Sequence, residues 1–396
     1  MHSTSTTRSV PAPYPAASTP RRARGPMARA FAAISWPVVV VLLLGSLCWI
    51  VSGHGWMLDL AANLTAQWLV LSAMGTLLWL VTRQRRLAVV GLVACASCVV
   101  ALGLGRAAYW PRSRLIGHGP DAPADLVRLL HYNASAFGDG PSIEAYMRLT
   151  EADVLSIVCP PTAQQTRVVY GHHLEDEYPG KLTRRWRPGP TIDYTDITAG
   201  FMVSRWPLRA IDTSWLGDVS NYLIAGIVER PRVNGKGGEF AVIAFHPRSP
   251  RTSERWMFGN GVVESVGVLT NRLREQGLAV VVLSDLNATP TGYRSQRLFR
   301  EANLRRAKPL FVLIGTYPNE VPVGMSAKTA PSFPAVWPAS IAIDDALVTP
   351  GVKVVGWTVG PRMASGHLPI IVELDIPGHT VPEAASWTAE GAGAGR

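Results

Sequence analysis

Three apolar stretches follow one another in the first third of the chain, at residues 36–53, 61–81 and 87–105. Each is close to the roughly 20 residues that an α-helix needs to cross a bilayer. A backbone in lipid must satisfy its own hydrogen bonds, so such stretches are expected to fold as helices. A signal peptide is the alternative for the first stretch, but a long segment precedes it and two more apolar stretches follow. The sequence therefore predicts three transmembrane helices that anchor the protein in a lipid bilayer.

The positions of the arginines predict how these helices are oriented, because cytoplasmic segments are enriched in Lys and Arg. Residues 1–35 are rich in Ser, Thr, Pro and Ala, contain no acidic residue and are predicted to form a disordered basic tail. Arginines occur in this tail and between the second and third stretches, whereas the link between the first and second stretches has no Lys or Arg. We therefore expect a multi-pass protein of the cell membrane with a cytoplasmic N-terminus and an extracytoplasmic C-terminal domain. Three dispersed arginines weigh mildly against this orientation: Arg106, Arg112 and Arg114.

The net charge of +10 is concentrated in the N-terminal part of the chain. Residues 106–396 carry 30 basic and 27 acidic residues and are nearly balanced. A wide basic face for duplex DNA is therefore not indicated, and a long nucleic acid is an unlikely partner. The basic cluster at residues 181–187 could meet phosphates or lipid headgroups, although a solvated loop is the more common outcome for such a run. Of the four cysteines only Cys159 lies outside the apolar stretches, so no disulfide framework is predicted.

From about residue 120 short strand-like runs alternate with turns and a few helices. A helix is predicted over residues 262–276, a short strand over residues 341–343, and a buried strand that begins at residue 279 and ends with Asp285 and Asn287. The predicted fold class is α/β, a four-layer α/β/β/α sandwich of two packed mixed sheets with outer helices. The predicted divisions of the chain are the basic tail (1–35), the membrane helices (36–105), a linker (106–123), the sandwich domain (124–377) and a disordered tail (378–396).

Polar residues with catalytic chemistry lie at or just after the ends of these strands: Asn133, His246, Asp285, Asn287, Asp344 and His367. Strand ends in a layered sheet converge on one rim, so these side chains are expected to lie together. In Ser284-Asp285-Leu286-Asn287, alternation along a strand places Asp285 and Asn287 on the same face. A carboxylate and an amide so placed suit the orientation of a water beside a phosphate. An ordinary turn also favours Asp and Asn, so this run alone is a weak signal.

In combination, the short motifs of this region resemble the endonuclease/exonuclease/phosphatase superfamily, whose members include deoxyribonuclease-like nucleases, sphingomyelinases and inositol-phosphate phosphatases. The resemblance covers about residues 124–377, and bacterial members with several N-terminal membrane spans are similar in architecture. The motifs occur in family order: His131-Tyr132-Asn133, Ala152-Asp153-Val154-Leu155, Ser204-Arg205-Trp206-Pro207-Leu208, His246-Pro247-Arg248-Ser249-Pro250, Ser284-Asp285-Leu286-Asn287, Gly315-Thr316-Tyr317-Pro318, Ile343-Asp344-Asp345 and Ser365-Gly366-His367.

The resemblance implies a role for each strand-end residue. Asp285 would hold or deprotonate the attacking water, and Asn287 would help to orient it. His367 would stabilise negative charge on the phosphate, with Asp344 fixing its ring. His246 would contact phosphate oxygens. The implied metal ligands are Asn133 and Asp285, which would hold a divalent ion, Mg²⁺ or Mn²⁺.

Two positions depart from the family pattern. Where the family has the Glu that is its main metal ligand, this chain has Cys159, and where the family's closing motif is Ser-Asp-His this chain has Gly366 before His367. A thiolate suits Zn²⁺ better than Mg²⁺, which prefers oxygen. Asp345 and Glu151 are candidate substitutes. The metal is therefore expected to bind weakly or not at all.

Two functions remain open from the sequence. The first is a membrane-anchored phosphoric ester hydrolase that cleaves a phosphodiester or phosphomonoester of unknown class. The second is a catalytically inactive family member that binds a phosphate-bearing ligand or serves as an interaction module at the membrane. Both histidines, Asp285, Asn287 and Asp344 favour the first function, whereas Cys159 favours the second.

Overall fold

The computed structural model describes residues 26–104, 126–134, 140–159, 178–183, 200–233, 236–308, 315–317, 341–363 and 365–378. The predicted linker at 106–123 and most of both predicted tails lie outside these residues. The same holds for residues 184–187 of the basic cluster.

The N-terminal region is helical. It comprises α1 (Pro26–Val51), a 3-10 turn (Ser52–His54), α2 (Trp56–Ala62), α3 (Thr65–Val81) and α4 (Arg85–Leu104). Two segments are long and apolar enough to cross a membrane, Ala33–His54 and Arg85–Leu104, while α2 and α3 could form a third span that bends by 62°. Residues 26–35 were predicted to belong to the tail, but they begin α1. Pro26 stands at the first helical position, where its missing N–H costs nothing, and an Ala-rich run follows it.

The outer surface of these helices is apolar, and small residues mediate their contacts. Leu44, Leu77 and Leu92 are more than half exposed, as is typical of helices that face lipid chains. At the helix–helix contacts, a Cβ at Gly45 would lie 2.6 Å from the Trp68 ring, and one at Gly91 would lie 2.3 Å from Thr76. Small residues of this kind let membrane helices approach closely.

The remaining described residues form twelve strands and three further helices. The strands are β1 (Leu126–Asn133), β2 (Val154–Val158), β3 (Gly180–Thr183), β4 (Gly200–Ser204), β5 (Leu208–Ala210), β6 (Leu223–Val233), β7 (Lys236–Phe245), β8 (Ala279–Asp285), β9 (Arg305–Arg306), β10 (Asp344–Val348), β11 (Lys353–Val359) and β12 (Ile370–Asp375). The helices are α5 (Gly140–Leu149), α6 (Ser253–Glu275) and α7 (Tyr293–Ala302).

These strands make two six-stranded sheets with the orders β11-β12-β1-β2-β4-β3 and β5-β6-β7-β8-β10-β9. Both sheets are mixed, since β1–β2 and β7–β8 are parallel pairs among antiparallel ones. Their inner faces pack together through buried residues such as Val127, Val242 and Val372. Helix α5 covers the outer face of the first sheet, and α6 and α7 cover that of the second. The predicted four-layer sandwich is confirmed.

Several elements differ from the sequence prediction. The short strands β3, β5 and β9 and a 3-10 helix at Ser214–Tyr222 were not predicted. Helix α6 begins at Ser253, nine residues before the predicted start, because the Thr252 side chain caps it by accepting from the Arg255 amide at 3.3 Å. Residues 341–343 do not form a strand; Ile341 makes a single bridge to Tyr317. The strand at this position, β10, begins with Asp344 instead. Helix α7 was not predicted, because its charged sequence carries only a narrow apolar face.

Candidate active site

The two sheets bring one end of each together at a common rim. Strands β1 and β8 end there, at Asn133 and Asp285. Because β10 is antiparallel to β8 and β12 is antiparallel to β1, the first residues of β10 and β12 lie at the same rim. Asp344 is directly opposite Asp285 in this register, and His367 precedes β12 by three residues. The expectation that these side chains converge is thus met, although Asp344 starts a strand rather than ends one.

The Asp285 carboxylate lies at the centre of the cluster and is 1% exposed. Its Oδ2 atom accepts a hydrogen bond from Asn133 Nδ2 at 2.8 Å and lies 3.2 Å from His246 Nε2 and 3.8 Å from His367 Nε2. Its Oδ1 atom accepts from the backbone N–H of Asn287 at 2.9 Å. Residues from both sheets therefore converge on a single carboxylate.

Asn287 belongs to the same cluster, but it lies in the turn after β8 and not in the strand. Strand β8 ends at Asp285, and Asn287 has a left-handed backbone conformation with φ of 49°. Its side-chain nitrogen lies 3.0 Å from His246 Nε2 and donates to the carbonyl of Pro247 at 3.1 Å. The prediction of a shared strand face was wrong, because the turn rather than the strand aims this amide. Asparagine tolerates the left-handed region better than most residues.

His367 is held on three sides. Its Nδ1 atom lies 2.9 Å from Asp344 Oδ2, and its backbone N–H donates to Ser365 Oγ at 3.0 Å. The ring of Tyr317 packs against the imidazole with a centroid distance of 4.7 Å. Thr316 Oγ1 in turn accepts the backbone N–H of Asp344 at 3.0 Å. These contacts leave Nε2 as the ring nitrogen that faces Asp285.

The electrostatics of the cluster follow from buried charges at close range. Burial opposes charge on Asp285, but His367 and His246 beside it hold the pKa of this carboxyl well below its usual range. Burial likewise opposes charge on His367, but Asp344 and Asp285 raise its pKa. Burial raises the pKa of Asp344, while His367, whose Nδ1 atom lies 2.9 Å from Asp344 Oδ2, acts in the opposite direction. The cluster therefore places cationic imidazole beside an anionic carboxylate.

Cys159 contacts His246 from the side away from Asp285. Its sulfur lies 2.9 Å from His246 Nδ1, and its backbone is left-handed with φ of 48°. Although burial opposes charge on His246, Cys159 and Asp285 raise the pKa of this imidazole well above its usual value. Cys159 thus occupies the rim position that the resemblance assigns to a metal-binding Glu, but its sulfur is engaged by a histidine.

His131 belongs to the first of the family-like motifs, and no role was predicted for it. The structure places it on the same face of β1 as Asn133, completely buried, with Nδ1 3.3 Å from Ser156 Oγ. Its Nε2 atom has no hydrogen-bond partner among the described residues. Burial lowers the pKa of His131 to about 3, so the ring is neutral. Strand alternation from Asn133 was the sequence signal that could have identified it.

The residues at this rim fit a tightly bound Mg²⁺ poorly. Ligand atoms of Asp285, Asp344 and His367 lie within 4.8 Å of one another, and within the described part of the chain Asp344 Oδ1 has no hydrogen-bond partner. A hard cation requires several oxygen ligands in near-octahedral geometry, however. Here Asp344 is paired with cationic His367, and Asp285 is already bonded by Asn133.

The two candidate substitutes for the missing carboxylates do not improve this fit. Asp345 is completely buried in an ion pair with Arg306. Glu151 is exposed, in a turn that precedes β2 and therefore lies at the opposite end of that strand from Cys159. Gly366, in contrast, has room for a side chain, since a Cβ there would meet only the Tyr317 ring at 3.7 Å.

No family model and no curated protein sequence matches the chain. Solved structures similar to it include an endonuclease/exonuclease/phosphatase family protein from Bacteroides thetaiotaomicron, with 16% identity over 63% of this chain and 97% of that one and a TM-score of 0.43. An endonuclease/exonuclease/phosphatase from Beutenbergia cavernae is 19% identical over 66% and 73% of the two chains, with a TM-score of 0.41. The catalytic domain of Xenopus laevis APE2 is 11% identical over 65% and 95%, with a TM-score of 0.48.

The family named for the first two of these structures is the one that the sequence motifs resemble. Because the identities and TM-scores are low, the roles of individual residues rest on the contacts within this chain.

Proposed function

We propose that the chain is a membrane-anchored phosphoric ester hydrolase. The observation that carries this proposal is the convergence of Asn133, His246 and His367 on the Asp285 carboxylate, with Asn287 closing the group. An anionic carboxylate can hold a water, and cationic imidazoles beside it can bind the anionic oxygens of a phosphate ester. The substrate class proposed is a phosphodiester or phosphomonoester at the membrane surface.

In the proposed mechanism the acting groups are protein side chains, because the residues at the rim fit Mg²⁺ poorly. Asp285, ionised at neutral pH, accepts a hydrogen bond from the attacking water and takes its proton as the water oxygen bonds to phosphorus. The bond from phosphorus to the ester oxygen breaks in the same displacement, the departing alkoxide takes a proton from solvent, and Asp285 later releases its proton to solvent. The Asn287 amide orients that water. The imidazolium groups of His246 and His367 balance the charge that builds on the phosphoryl oxygens. Asp344 keeps His367 charged, which is why its contact with Nδ1 matters.

The proposed topology is three membrane crossings with the sandwich outside the cytoplasm. Residues 52–63, which follow α1, contact the sandwich domain, which follows α4. A contact between these two parts of the chain requires them to lie on the same side of the membrane. If α4 crosses the membrane, α3 must cross it as well, and the 17 residues of α3 extend over about 26 Å at 1.5 Å per residue. The N-terminal tail and the link between α3 and α4 would then lie on the opposite side from the sandwich. Arginines at residues 21–29 and 83–86 favour a cytoplasmic location for these two segments. Reporter fusions after residue 105 test this, and a cytoplasmic signal would contradict it.

The activity is tested with the full-length chain in lipid nanodiscs. An activated phosphodiester and an activated phosphomonoester are assayed with EDTA and with Mg²⁺, Mn²⁺, Ca²⁺ or Zn²⁺. Asp285→Asn and His367→Gln are expected to abolish turnover, whereas Asp218→Asn, a matched change at an exposed carboxylate, is expected to leave it unchanged. Turnover in the wild type that does not exceed that of the Asp285 and His367 variants with any metal would refute the hydrolase.

Cys159 supports a second candidate function, a phosphate-binding module without turnover. Its sulfur engages His246 at the position where the resemblance places the principal metal ligand. The histidines and Asn287 could still hold a phosphate group in that case. Saturable binding of inorganic phosphate that His367→Gln removes, together with absent turnover, would favour this function over the first.

A further inference from the structure

The short helix α2, between the first two apolar helices, docks against the sandwich domain through a buried carboxylate. Asp59 is completely buried, and its two oxygens accept from different donors. Oδ1 accepts from the backbone N–H of Tyr293 at 2.7 Å, and Oδ2 accepts from the indole Nε1 of Trp256 at 2.9 Å. A buried carboxylate is tolerated only when its oxygens are satisfied in this way. The contact is therefore specific rather than incidental.

Asn63, at the end of α2, makes a second set of contacts with the same part of the domain. Its Oδ1 atom accepts from the backbone N–H of Thr289 at 2.5 Å and from Thr289 Oγ1 at 3.1 Å. Thr291 Oγ1 donates to the carbonyl of Ala62 at 2.7 Å. The approach is so close that a Cβ at Gly292 would lie 2.4 Å from Asn63 Oδ1. The Thr289 amide and the hydroxyls of Thr289 and Thr291 thus donate to acceptors in the membrane anchor, whereas the Gly292 amide donates to the Thr289 carbonyl.

This docked loop begins directly after the Asp285-Leu286-Asn287 turn of the candidate active site. Arg294, two residues after the loop, connects it to the turns that carry Asn287 and His246, and is completely buried. Its guanidinium donates to the carbonyl of Leu286 at 3.2 Å and to the carbonyl of Arg248 at 2.7 Å. Leu286 lies beside Asn287, and Arg248 lies two residues after His246. Asp59 also interacts favourably with the Arg294 charge.

We propose that α2 of the membrane anchor is a positioning element of the active site, with Asp59 and Asn63 as positioning residues. They fix the loop over residues 288–292, and through it the turn that carries Asn287. The inference rests on the proposed function, because that function makes the turn with Asn287 part of an active site. The docking of α2 on the sandwich does not depend on turnover. One consequence is that a fragment starting near residue 107 lacks the acceptors for the Thr289 and Tyr293 amides.

Hydrogen exchange of the full-length chain in nanodiscs tests the positioning without any substrate. Asp59→Ala and Asn63→Ala are expected to speed exchange of the Thr289 and Tyr293 amides at least tenfold, and that of the Asn287 amide as well. Asp59→Asn, which keeps one acceptor oxygen, is expected to restore most of the protection of the Tyr293 amide. Asp218→Ala, at an exposed carboxylate, is the matched control and should change nothing. Amides of β7 must stay protected, which shows that the domain remains folded.

Trp256→Phe removes one donor to Asp59 while keeping an aromatic ring, so it is used if the alanine variants do not fold. Faster exchange at Thr289 and Tyr293 without any change at Asn287 would overturn the positioning role, and unchanged exchange at all three would overturn the docking. Where the wild type turns over substrate, Asp59→Ala is expected to lower kcat about tenfold with KM within about twofold. A wild type without turnover would refute the proposed hydrolase and leave the exchange result to decide the positioning.

Discussion

The contact between Asp344 and His367 is expected to control the charge of the imidazole, and Asp344→Asn tests this directly. The carboxylate Oδ2 lies 2.9 Å from Nδ1, and both residues are buried. With the charge centres about 4 Å apart, an effective dielectric constant of about 20 gives about 4 kcal/mol of attraction. Loss of this attraction should lower the pKa of His367 from its raised value and disfavour the imidazolium form. The amide preserves the size of the side chain, so the loss is mainly one of charge.

The assay is NMR titration of the chain labelled at its nine histidines, with His367 assigned from the signal that His367→Gln removes. Asp218→Asn serves as the control, because its carboxylate is exposed and outside the site. In the wild type, His367 is expected to titrate above its usual pKa; in Asp344→Asn it is expected to titrate well below it. If the pKa of His367 in the two proteins differs by less than about half a unit, Asp344 does not control the charge of the imidazole. That result would refute the proposed role of the contact.

Three further outcomes are expected. Cys159→Glu combined with Gly366→Asp, which returns two carboxylates to the rim, should increase Mn²⁺ affinity at least tenfold by electron paramagnetic resonance; unchanged affinity would mean that these positions do not limit binding. The unfolded chain protonates His131 below pH 6.5, whereas the folded chain does so only near pH 3. The free energy of unfolding should therefore fall on acidification below pH 6.5 by up to about 1.4 kcal/mol per unit, and His131→Gln should flatten that slope in denaturant titrations. Arg306→Met leaves buried Asp345 unpaired and should cost about 3–5 kcal/mol of stability, most of which Arg306→Met with Asp345→Leu should recover.

The parts of the fold that the sequence could predict are those with strong local patterns. The apolar run of β8 was predicted from its start at residue 279, whereas the short strands β3, β5 and β9 were not predicted. The start of β10 was not, because its first two residues, Asp344 and Asp345, are charged and yet buried. Burial of a carboxylate depends on a partner, and here the partners are His367 and Arg306, which lie elsewhere in the chain. A local pattern cannot contain that information.

The same distinction applies to the site. Strand ends in a layered fold meet at a rim, so the grouping of Asn133, Asp285 and His367 could be predicted from sequence. The left-handed turn that aims Asn287 could not, and neither could the role of Asp59. Asp59 is bonded to a backbone amide 234 residues away, and its sequence context is that of an apolar helix flank. Long-range hydrogen bonds of this kind leave no periodic signal.

Cys159 and Gly366, the two departures from the family pattern, change the charge of the rim in the same direction. Replacement of Glu by Cys159 and of Asp by Gly366 removes two negative charges from the rim. A rim that bound no divalent cation would also lack two positive charges, so the net charge presented to a phosphate would be unchanged. The positive groups on the described rim are then His246 and His367, and neighbouring residues raise the pKa of each. The proposed hydrolase would therefore balance the charge of its substrate with imidazolium groups.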